Sequence, residues 1–432
     1  MTTFVEDRQF LSPVLTQATA VVAQSGQGSY LTDTEGRRYI DWVQGIAVNA
    51  LGHCYPSVVE AATTQIAQIM TGSFNLVGYE QTGELARRIA EIAPGDLSTT
   101  FFTNSGAEAT DAALKLARTA TGRPGIIAFK GSFHGRTIGA TSVTGSAANY
   151  RSSYEPLMGS VYFSTFPAEE QCSPGLDAKG RAAFALDQLE QVLEYLVAPE
   201  SVAAIIVEPV QGEGGYVVPD ASFLQGLRKI CTQHGMLLIF DEVQSGYGRT
   251  GKMFASEHFQ VAPDIMTLGK ALAGGLPMSA VVSTRNIMDK WISGTHGSTF
   301  GGNPVCAATG LAVLDAFEKE DVLARSASQG EYMRSQLEEI CADSSIVSQV
   351  RGLGMMLAVK LTHPDGQIGG DLATRIRALC CERGLLLLGC GTNHDCVRII
   401  APLVVDRETV DEGLAILRDV ITDVEAEIGA SV

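Results

Sequence analysis

An unbroken apolar run at residues 236–240 leads directly into the acidic residue Asp241. Five apolar residues bounded by polar ones predict a strand that is buried on both faces, as in a parallel sheet. A second, mostly apolar run at residues 264–269 ends at Lys270. Because ligands of open α/β sheets bind outside the carboxyl ends of the strands, we expect Asp241 and Lys270 to face the same site.

From about residue 80, short apolar runs alternate with stretches of helical period. This alternation predicts an α/β fold with a mostly parallel sheet and helices on both faces. After about residue 315 the pattern changes to a smaller α+β unit, and a predicted hairpin at residues 30–42 is expected to pack with it. The elements predicted around the site are strands 99–103, 125–129, 203–207, 236–241, 264–269 and 279–283 and a helix at 111–121.

These patterns predict a division of the chain into three segments. Residues 1–60 are assigned to the N-terminal part of a small domain. Residues 61–315 are assigned to a large domain that holds the site, and residues 316–432 to the C-terminal part of the small domain.

The charge of the chain excludes several classes of partner. Its 432 residues carry a formal net charge of −17, which argues against binding to nucleic acid or to anionic membranes. No stretch reaches the roughly 20 apolar residues of a membrane-spanning helix, and residues 1–10 lack the apolar core of a signal peptide. We therefore expect a cytoplasmic protein.

The cysteines give no sign of a metal site or a disulfide framework. There are nine, scattered and without a CxxC pair, so reduced thiols are favoured. The densest group, Cys390, His394, Asp395 and Cys396, does not have the spacing of a common zinc site. We therefore predict no metal.

Small residues lie between a predicted strand and a predicted helix at Ser105, Gly106 and Ala107. Such residues let backbone N–H groups approach an anion, and the helix dipole favours a phosphate. The alternative is a plain turn, which a glycine before a helix often forms.

Two further segments follow predicted strands. Phe133 can cover a planar group, with core packing as the alternative, and Arg136 can bind a carboxylate, with a surface ion pair as the alternative. Residues 208–215 form a Gly-rich loop that carries Glu208 and Glu213. The alternative for this loop is a solvated turn.

Residues 246–251 match the spacing GxGxxG after a strand. A dinucleotide site requires this motif to open a long helix and to be followed by an acidic residue about 20 positions later. Here Asp241 precedes the loop and no suitable acidic residue follows. We therefore reject a nicotinamide cofactor.

Lys270 ends an apolar run, so we expect it to be partly buried. Burial lowers the pKa of an amine and makes it a nucleophile; the alternative is a lysine whose stem packs while its head reaches solvent. An amine, a carboxylate, an aromatic cover and a helix start suited to phosphate together match pyridoxal 5′-phosphate. Its aldehyde needs a lysine, its ring nitrogen a carboxylate, its ring a stacking surface and its phosphate N–H donors.

Over nearly its whole length the chain closely resembles fold-type I pyridoxal-phosphate aminotransferases of class III, in the subgroup of 4-aminobutyrate, ornithine and acetylornithine aminotransferases. The resemblance implies a large cofactor-binding domain with a mostly parallel sheet of the seven-stranded type, plus a small α+β domain built from the N- and C-terminal segments. The segments that carry it occur in the family's order: NSGAEA at 104–109, FHGRT at 133–137, EPVQGEGG at 208–215, DEVQSGYGRT at 241–250, TLGKALAGG at 267–275 and STFGGNP at 298–304.

The resemblance also implies the cofactor contacts. Lys270 bonds covalently to the cofactor aldehyde, and Asp241 pairs with the ring nitrogen. Thr299 reaches the phosphate from the partner subunit, which implies a homodimer with shared active sites and leaves a tetramer open. The remaining cofactor residues are Phe133 and Val243 on the two ring faces, Gln244 at the phenolic oxygen, Ser105, Gly106 and Ala107 at the phosphate, and His134 beside Phe133.

Substrate contacts follow from the same resemblance. Arg136 matches the arginine that binds the substrate carboxylate, and Arg398 matches the one that binds the α-carboxylate of a 2-oxoacid. Glu213 matches the glutamate that pairs with this second arginine when it is not needed. Ile46 matches an apolar pocket residue, Glu208 is assigned to the substrate side of the site, and Asn75 stands where bacterial 4-aminobutyrate enzymes usually carry Gln.

The expected activity is transamination of an ω-amino acid, 4-aminobutyrate first, with 2-oxoglutarate as acceptor. The expected partners are therefore a small amine donor and a 2-oxoacid. The alternatives are an ornithine or acetylornithine aminotransferase, or a racemase or decarboxylase on the same fold. A catalytically inactive binding protein is the alternative from another class, and the presence of Lys270, Asp241 and Gln244 argues against it.

Overall fold

A computed structural model describes residues 4–429; the first and last three positions of the predicted terminal segments lie outside this range. The strands within it are β1 (Ala23–Gln27), β2 (Tyr30–Asp33), β3 (Arg38–Asp41), β4 (Thr99–Thr103), β5 (Gly125–Phe129), β6 (Val161–Ser164), β7 (Val202–Val207), β8 (Leu237–Asp241), β9 (Ile265–Leu268), β10 (Ser279–Ser283), β11 (Val347–Leu353), β12 (Met356–Leu361), β13 (Leu385–Leu386), β14 (Leu388–Cys390) and β15 (Cys396–Ile399).

The helices of the described range vary from single turns to long rods. They are α1 (Phe4–Asp7), α2 (Gln44–Ala47), α3 (Pro56–Ile66), α4 (Glu80–Ile92), α5 (Gly106–Thr121), α6 (Ile138–Val143), α7 (Ala178–Tyr195), α8 (Ala221–His234), α9 (Ser256–Phe259), α10 (Arg285–Met288), α11 (Pro304–Lys319), α12 (Val322–Asp343), α13 (Gly370–Glu382) and α14 (Arg407–Gly429). Among residues 4–429, no helix combines the length and the apolar content that crossing a bilayer requires.

The central element is a seven-stranded sheet with the order β4-β10-β9-β8-β7-β5-β6. Strands β6, β5, β7, β8 and β9 run parallel to one another. Strand β10 is antiparallel to both β9 and β4. The predicted α/β fold with a mostly parallel sheet is therefore confirmed.

Burial on both faces of this sheet explains its apolar sequence. On β7, Ile205 and Val207 pack into one buried cluster, whereas Ile206 packs into a second cluster. Adjacent side chains of a strand point to opposite faces, so helices must cover both. The run at 236–240 has the same property, and it ends where β8 ends, at Asp241.

Two smaller sheets hold the remaining strands, and one of them joins the two ends of the chain. The order of one is β1-β2-β3-β13, and that of the other is β11-β12-β15-β14. The backbone N–H of Ile400 donates to the carbonyl of Trp42 at 3.0 Å, and the fully buried Trp42 ring lies against Gly413 of α14. The predicted hairpin at residues 30–42 is formed by β2 and β3, while the division into domains remains a prediction.

Two differences from the predicted elements bear on the site. Helix α5 begins at Gly106 rather than at residue 111, because the Ser105 hydroxyl accepts from the N–H of Glu108 and caps the helix at that point. The small residues 105–107 therefore form the helix start itself. The apolar pattern also does not predict β6 or α11.

The close approach of α12 to the turn between β11 and β12 gives a stability test. A methyl group at Gly330 would lie 2.5 Å from the carbonyl carbon of Gly354. We expect Gly330→Ala to lower the free energy of unfolding by about 1–3 kcal/mol, because overpacking outweighs the gain in helix propensity. Denaturant unfolding measures the change.

Gly83 of α4 is the matched control, since nothing lies within 4 Å of a methyl group added there. We expect Gly83→Ala to raise the free energy of unfolding by about 0.5–1 kcal/mol. Equal effects of the two substitutions would contradict the close packing of α12.

Candidate functional site

A cavity opens at the carboxyl edge of the large sheet. The ends of β8 and β9 meet there, since Asp241 is in register with Thr267 on the neighbouring parallel strand. Among residues 4–429, no group of three or more metal-ligating side chains is placed to hold a metal ion. The residues that line the cavity are Gly106, Ala107, Phe133, His134, Gly135, Glu208, Val210, Glu213, Asp241, Val243, Gln244, Ser245 and Lys270.

Asp241 is fixed on both of its carboxylate oxygens. Oδ1 accepts from the Thr267 hydroxyl at 3.1 Å and from the N–H of Val243 at 3.0 Å. Oδ2 lies 2.7 Å from Nδ1 of the buried His134, and a carboxylate only accepts, so the imidazole donates. Burial lowers the pKa of His134, but the hydrogen bond and charge of Asp241 outweigh it and raise the pKa overall.

Lys270 begins a single helical turn just beyond the end of β9. Its backbone is in the left-handed region, with φ at +45°, which is a strained conformation for a side chain of this size. Burial lowers the pKa of its amine to about 8, against the opposing charge of Asp241. An amine in this range is neutral in a much larger fraction than an ordinary lysine.

The cavity walls approach one another closely at Val243. A methyl group on Gly106 would lie 2.9 Å from Cγ1 of Val243, and one on Gly269 would lie 3.3 Å from it. Glycine at both positions lets Val243 sit beside the start of α5. Phe133 lines the same cavity. The cavity therefore has an aromatic side chain, Phe133, and an aliphatic one, Val243, in its walls.

Glu208 is the first residue of the loop at residues 208–215, and its carboxylate holds the loop in place. It accepts from the N–H of Phe133 and from the N–H of Gly212, each at 2.9 Å. Burial raises the pKa of Glu208 to about 7, and the charge of His134 acts in the opposite direction. Nearby, Gln244 lines the cavity with an amide oxygen that has no partner among the described protein groups.

Glu213 and Arg398 form an ion pair at the cavity wall. Arg398 Nη1 donates to Glu213 Oε1 at 2.7 Å, and the arginine side chain is only 3% exposed. Although burial lowers the pKa of Arg398, the charge of Glu213 raises it overall. This arginine is therefore a buried cation whose negative partner faces the cavity.

Five residues predicted for the site do not line the cavity of this single chain. One is Arg398, whose partner Glu213 does line it. Ser105 caps α5 next to it. Arg136 is exposed, with its guanidinium 4.5 Å from the ring centre of Tyr150, and no carboxylate of the described residues pairs with it. Ile46 and Thr299 are exposed as well.

Three residues that line the cavity and one that supports Asp241 were not predicted from the sequence. Gly135, Val210 and Ser245 line the cavity, and Thr267 binds Asp241. A signal existed for Thr267, because a polar residue inside the apolar run at 264–269 needs a partner when it is buried.

A family model described as aminotransferase class-III matches residues 12–421. The chain belongs to the class III aminotransferase family. The 5-aminovalerate aminotransferase DavT of Pseudomonas aeruginosa is 40% identical over 92% of this chain and 93% of its own. The 4-aminobutyrate aminotransferase GabT of Escherichia coli is 36% identical over 92% of each chain. Acetylornithine aminotransferases and an alanine/serine racemase align as well.

The fold of the chain also matches that of a known transaminase. The crystal structure of the omega transaminase from Pseudomonas jessenii in complex with PMP superimposes with a TM-score of 0.93 at 27% identity, over 99% of each chain. Class III aminotransferases depend on pyridoxal 5′-phosphate. The predicted family and cofactor are therefore confirmed.

The residues at the sheet edge fit this cofactor. An amine with a lowered pKa and a carboxylate fixed on both oxygens line one cavity. The start of α5 borders it with Gly106, where a Cβ would collide with Val243, and its free N–H groups suit a phosphate. The unpartnered amide of Gln244 supplies a further polar group.

Replacement of the cavity lysine tests its role. We expect Lys270→Ala to abolish transamination and the visible absorbance of covalently bound cofactor, because alanine has no amine to form the bond. The exposed Lys252 provides the control, and Lys252→Ala should keep both properties. Retained turnover in Lys270→Ala would refute the role of this lysine.

A second test concerns the charge of Asp241. We expect Asp241→Asn to slow transamination by several orders of magnitude, because a neutral amide no longer stabilises a positive charge on the ring nitrogen. The exposed Asp289, which pairs with Arg285, is the control position. Comparable rates for Asp241→Asn and Asp289→Asn would show that the charge of Asp241 is not used.

Proposed function

We propose that this protein transfers the amino group of an ω-amino acid, 4-aminobutyrate first, to 2-oxoglutarate. The observation that carries the proposal is the buried ion pair between Arg398 and Glu213 at the cavity wall. Relatives named for 4-aminobutyrate and 5-aminovalerate support the donor class. We further propose that the cofactor and substrate residues act as the family resemblance implies.

The two substrates make different demands on one cavity. An ω-amino acid carries one carboxylate far from its amine, whereas 2-oxoglutarate carries a second carboxylate beside its reacting carbon. A free Arg398 would leave a buried charge unpaired when the donor is bound, which is costly. Glu213 removes that cost, and its position at the cavity wall lets an incoming carboxylate replace it.

The carboxylate remote from the amine needs a second cation. Arg136 meets this need, because it is exposed and without a carboxylate partner among residues 4–429. A guanidinium binds a carboxylate through two parallel hydrogen bonds. We propose that Arg136 holds this carboxylate of both substrates in turn.

The chemistry follows from the residues at the strand ends. When bound, pyridoxal 5′-phosphate supplies a conjugated ring that takes up the electron pair left on the donor carbon. Lys270 Nζ removes the proton from the carbon that bears the donor amine, and its pKa of about 8 leaves part of it unprotonated. Asp241 holds a proton at the ring nitrogen, and His134 and Thr267 hold Asp241 in position.

We also propose that two copies of the chain share their active sites. Thr299 is exposed in the single chain, and its neighbour Phe300 is 59% exposed. Apolar side chains at 74, 76 and 77 are exposed as well, and Asn75 between them approaches Gly297. A second copy that covers this surface would bury it and would bring Thr299 to the neighbouring phosphate site.

An ornithine or acetylornithine aminotransferase remains the second candidate, since relatives with the latter name align over most of the chain. The Arg398–Glu213 pair suits those donors equally. A racemase would need no oxoacid. Steady-state turnover of each amine donor, with and without 2-oxoglutarate, therefore distinguishes these activities.

Substitution of the buried arginine tests the two-carboxylate scheme. We expect Arg398→Ala to weaken 2-oxoglutarate use by about 10–100-fold, the cost of a lost charged hydrogen bond, while the 4-aminobutyrate half-reaction stays near its original rate. Stopped-flow absorbance of each half-reaction measures the two separately. The exposed Arg285→Ala is the control. Equal losses in both half-reactions would contradict the scheme.

A further inference from the structure

Tyr216 follows the loop at residues 208–215 and is fully buried. Its backbone φ is +55°, a left-handed conformation that is uncommon for a bulky side chain. Its hydroxyl has no hydrogen-bond partner among the protein groups of residues 4–429. A buried hydroxyl without a partner and a strained backbone both destabilise a fold, so their combination at one residue suggests a function.

Tyr216 packs in a buried cluster whose members adjoin Arg398. It belongs to the same buried cluster as Ala358 and Ile400, and Ala358 is directly opposite Arg398 in the small sheet. Burial raises the pKa of the Tyr216 phenol, and the charges of Arg398 and Arg249 act on it in the opposite direction.

The guanidinium groups of Arg398 and Arg249 each have a buried nitrogen that lacks a partner among the described protein groups. In Arg398 it is Nε, and in Arg249 it is Nη2. Arg249 is 2% exposed, and its Nη1 donates to the carbonyls of Met355 and Ala401. Burial lowers the pKa of Arg249 to about 10. Arginine nitrogens only donate, so the acceptor they require must come from elsewhere.

A buried water can accept from two nitrogens and donate to a phenol oxygen, so a single water has the capacity to pair with three such groups. We propose that Tyr216 is a positioning residue for Arg398, and that its hydroxyl, through such a water, holds Nε of the guanidinium in place. This inference rests on the proposed function of Arg398. The anchor on Nε is independent of Nη1, the nitrogen that binds Glu213.

In this arrangement Arg398 stays in place while one carboxylate replaces another. When a 2-oxoacid replaces Glu213, only the glutamate has to move, because Arg398 remains held from behind. A binding group that is already in position loses less entropy when its ligand arrives. Without the hydroxyl, the guanidinium gains freedom, and the affinity for a dicarboxylate falls while the donor half-reaction is unaffected.

The test compares Tyr216→Phe with Tyr247→Phe in the holoenzyme. Tyr247 is also buried and also has a positive φ, and its hydroxyl has no partner within the described part of the chain. Its ring packs between Phe254 and Phe317, away from the cavity. The two substitutions therefore remove the same group from similar environments. Only Tyr216 belongs to the cluster that adjoins Arg398.

We expect Tyr216→Phe to raise the Kd for glutarate, a non-reacting dicarboxylate, by about tenfold, and to lower the melting temperature. The rate of the 4-aminobutyrate half-reaction should not change. Tyr247→Phe should alter neither the Kd nor the half-reaction, and its melting temperature should stay constant or rise. A crystal structure of the holoenzyme should show a water within hydrogen-bond distance of both the Tyr216 hydroxyl and Arg398 Nε.

Two results would overturn the inference. One is a crystal structure with no water between Tyr216 and Arg398. The other is a Tyr216→Phe variant that matches Tyr247→Phe in glutarate affinity and melting temperature. If Arg398→Ala selectively impairs 2-oxoglutarate use in the same assays, such a result refutes the role of Tyr216 alone. If Arg398→Ala impairs both half-reactions equally, the proposed function fails first.

Discussion

The carboxylate of Asp241 is the group on which the site depends. It lies at the end of a strand that is buried on both faces, where an unpartnered negative charge would be strongly destabilising. Three hydrogen-bond donors stabilise this charge: the Thr267 hydroxyl, the Val243 N–H and the His134 imidazole. Each belongs to a different segment, so the charge ties the ends of neighbouring elements into one rigid edge.

The remaining charges of the cavity are arranged around this carboxylate. Two opposing effects set the pKa of the Lys270 amine, since burial lowers it and the charge of Asp241 raises it. Glu208 has a pKa raised to about 7 by burial, and the charge of nearby Asp241 adds to that rise. Perturbed ionisation of this kind is concentrated at functional sites, and here it lies at the edge where parallel strands end.

The opposite wall of the cavity is built differently. Arg398 comes from β15 of a small sheet, and its partner Glu213 comes from the loop that follows β7 of the large sheet. An ion pair across two sheets can open without disturbing either one, because each side chain is held by its own backbone. The proposed exchange of Glu213 for a substrate carboxylate would therefore leave both sheets intact.

Much of this was determined by the sequence. The apolar runs that end at Asp241 and near Lys270 predicted two parallel strands and a site at their ends, because both the two-sided burial and the terminal charge are local properties. The motifs around them identified the family and its cofactor. The resemblance also paired Glu213 with Arg398, although 185 residues separate them.

Only the tertiary structure decided which groups satisfy one another at a distance. It showed that His134 supports Asp241 and that α5 begins at Gly106. It also showed that the hydroxyls of Tyr216 and Tyr247 are buried with no partner among residues 4–429. None of these follows from a local pattern. Hydrogen bonds and burial depend on the packing of segments that are far apart in the chain, and a periodic pattern records only which face of an element is apolar.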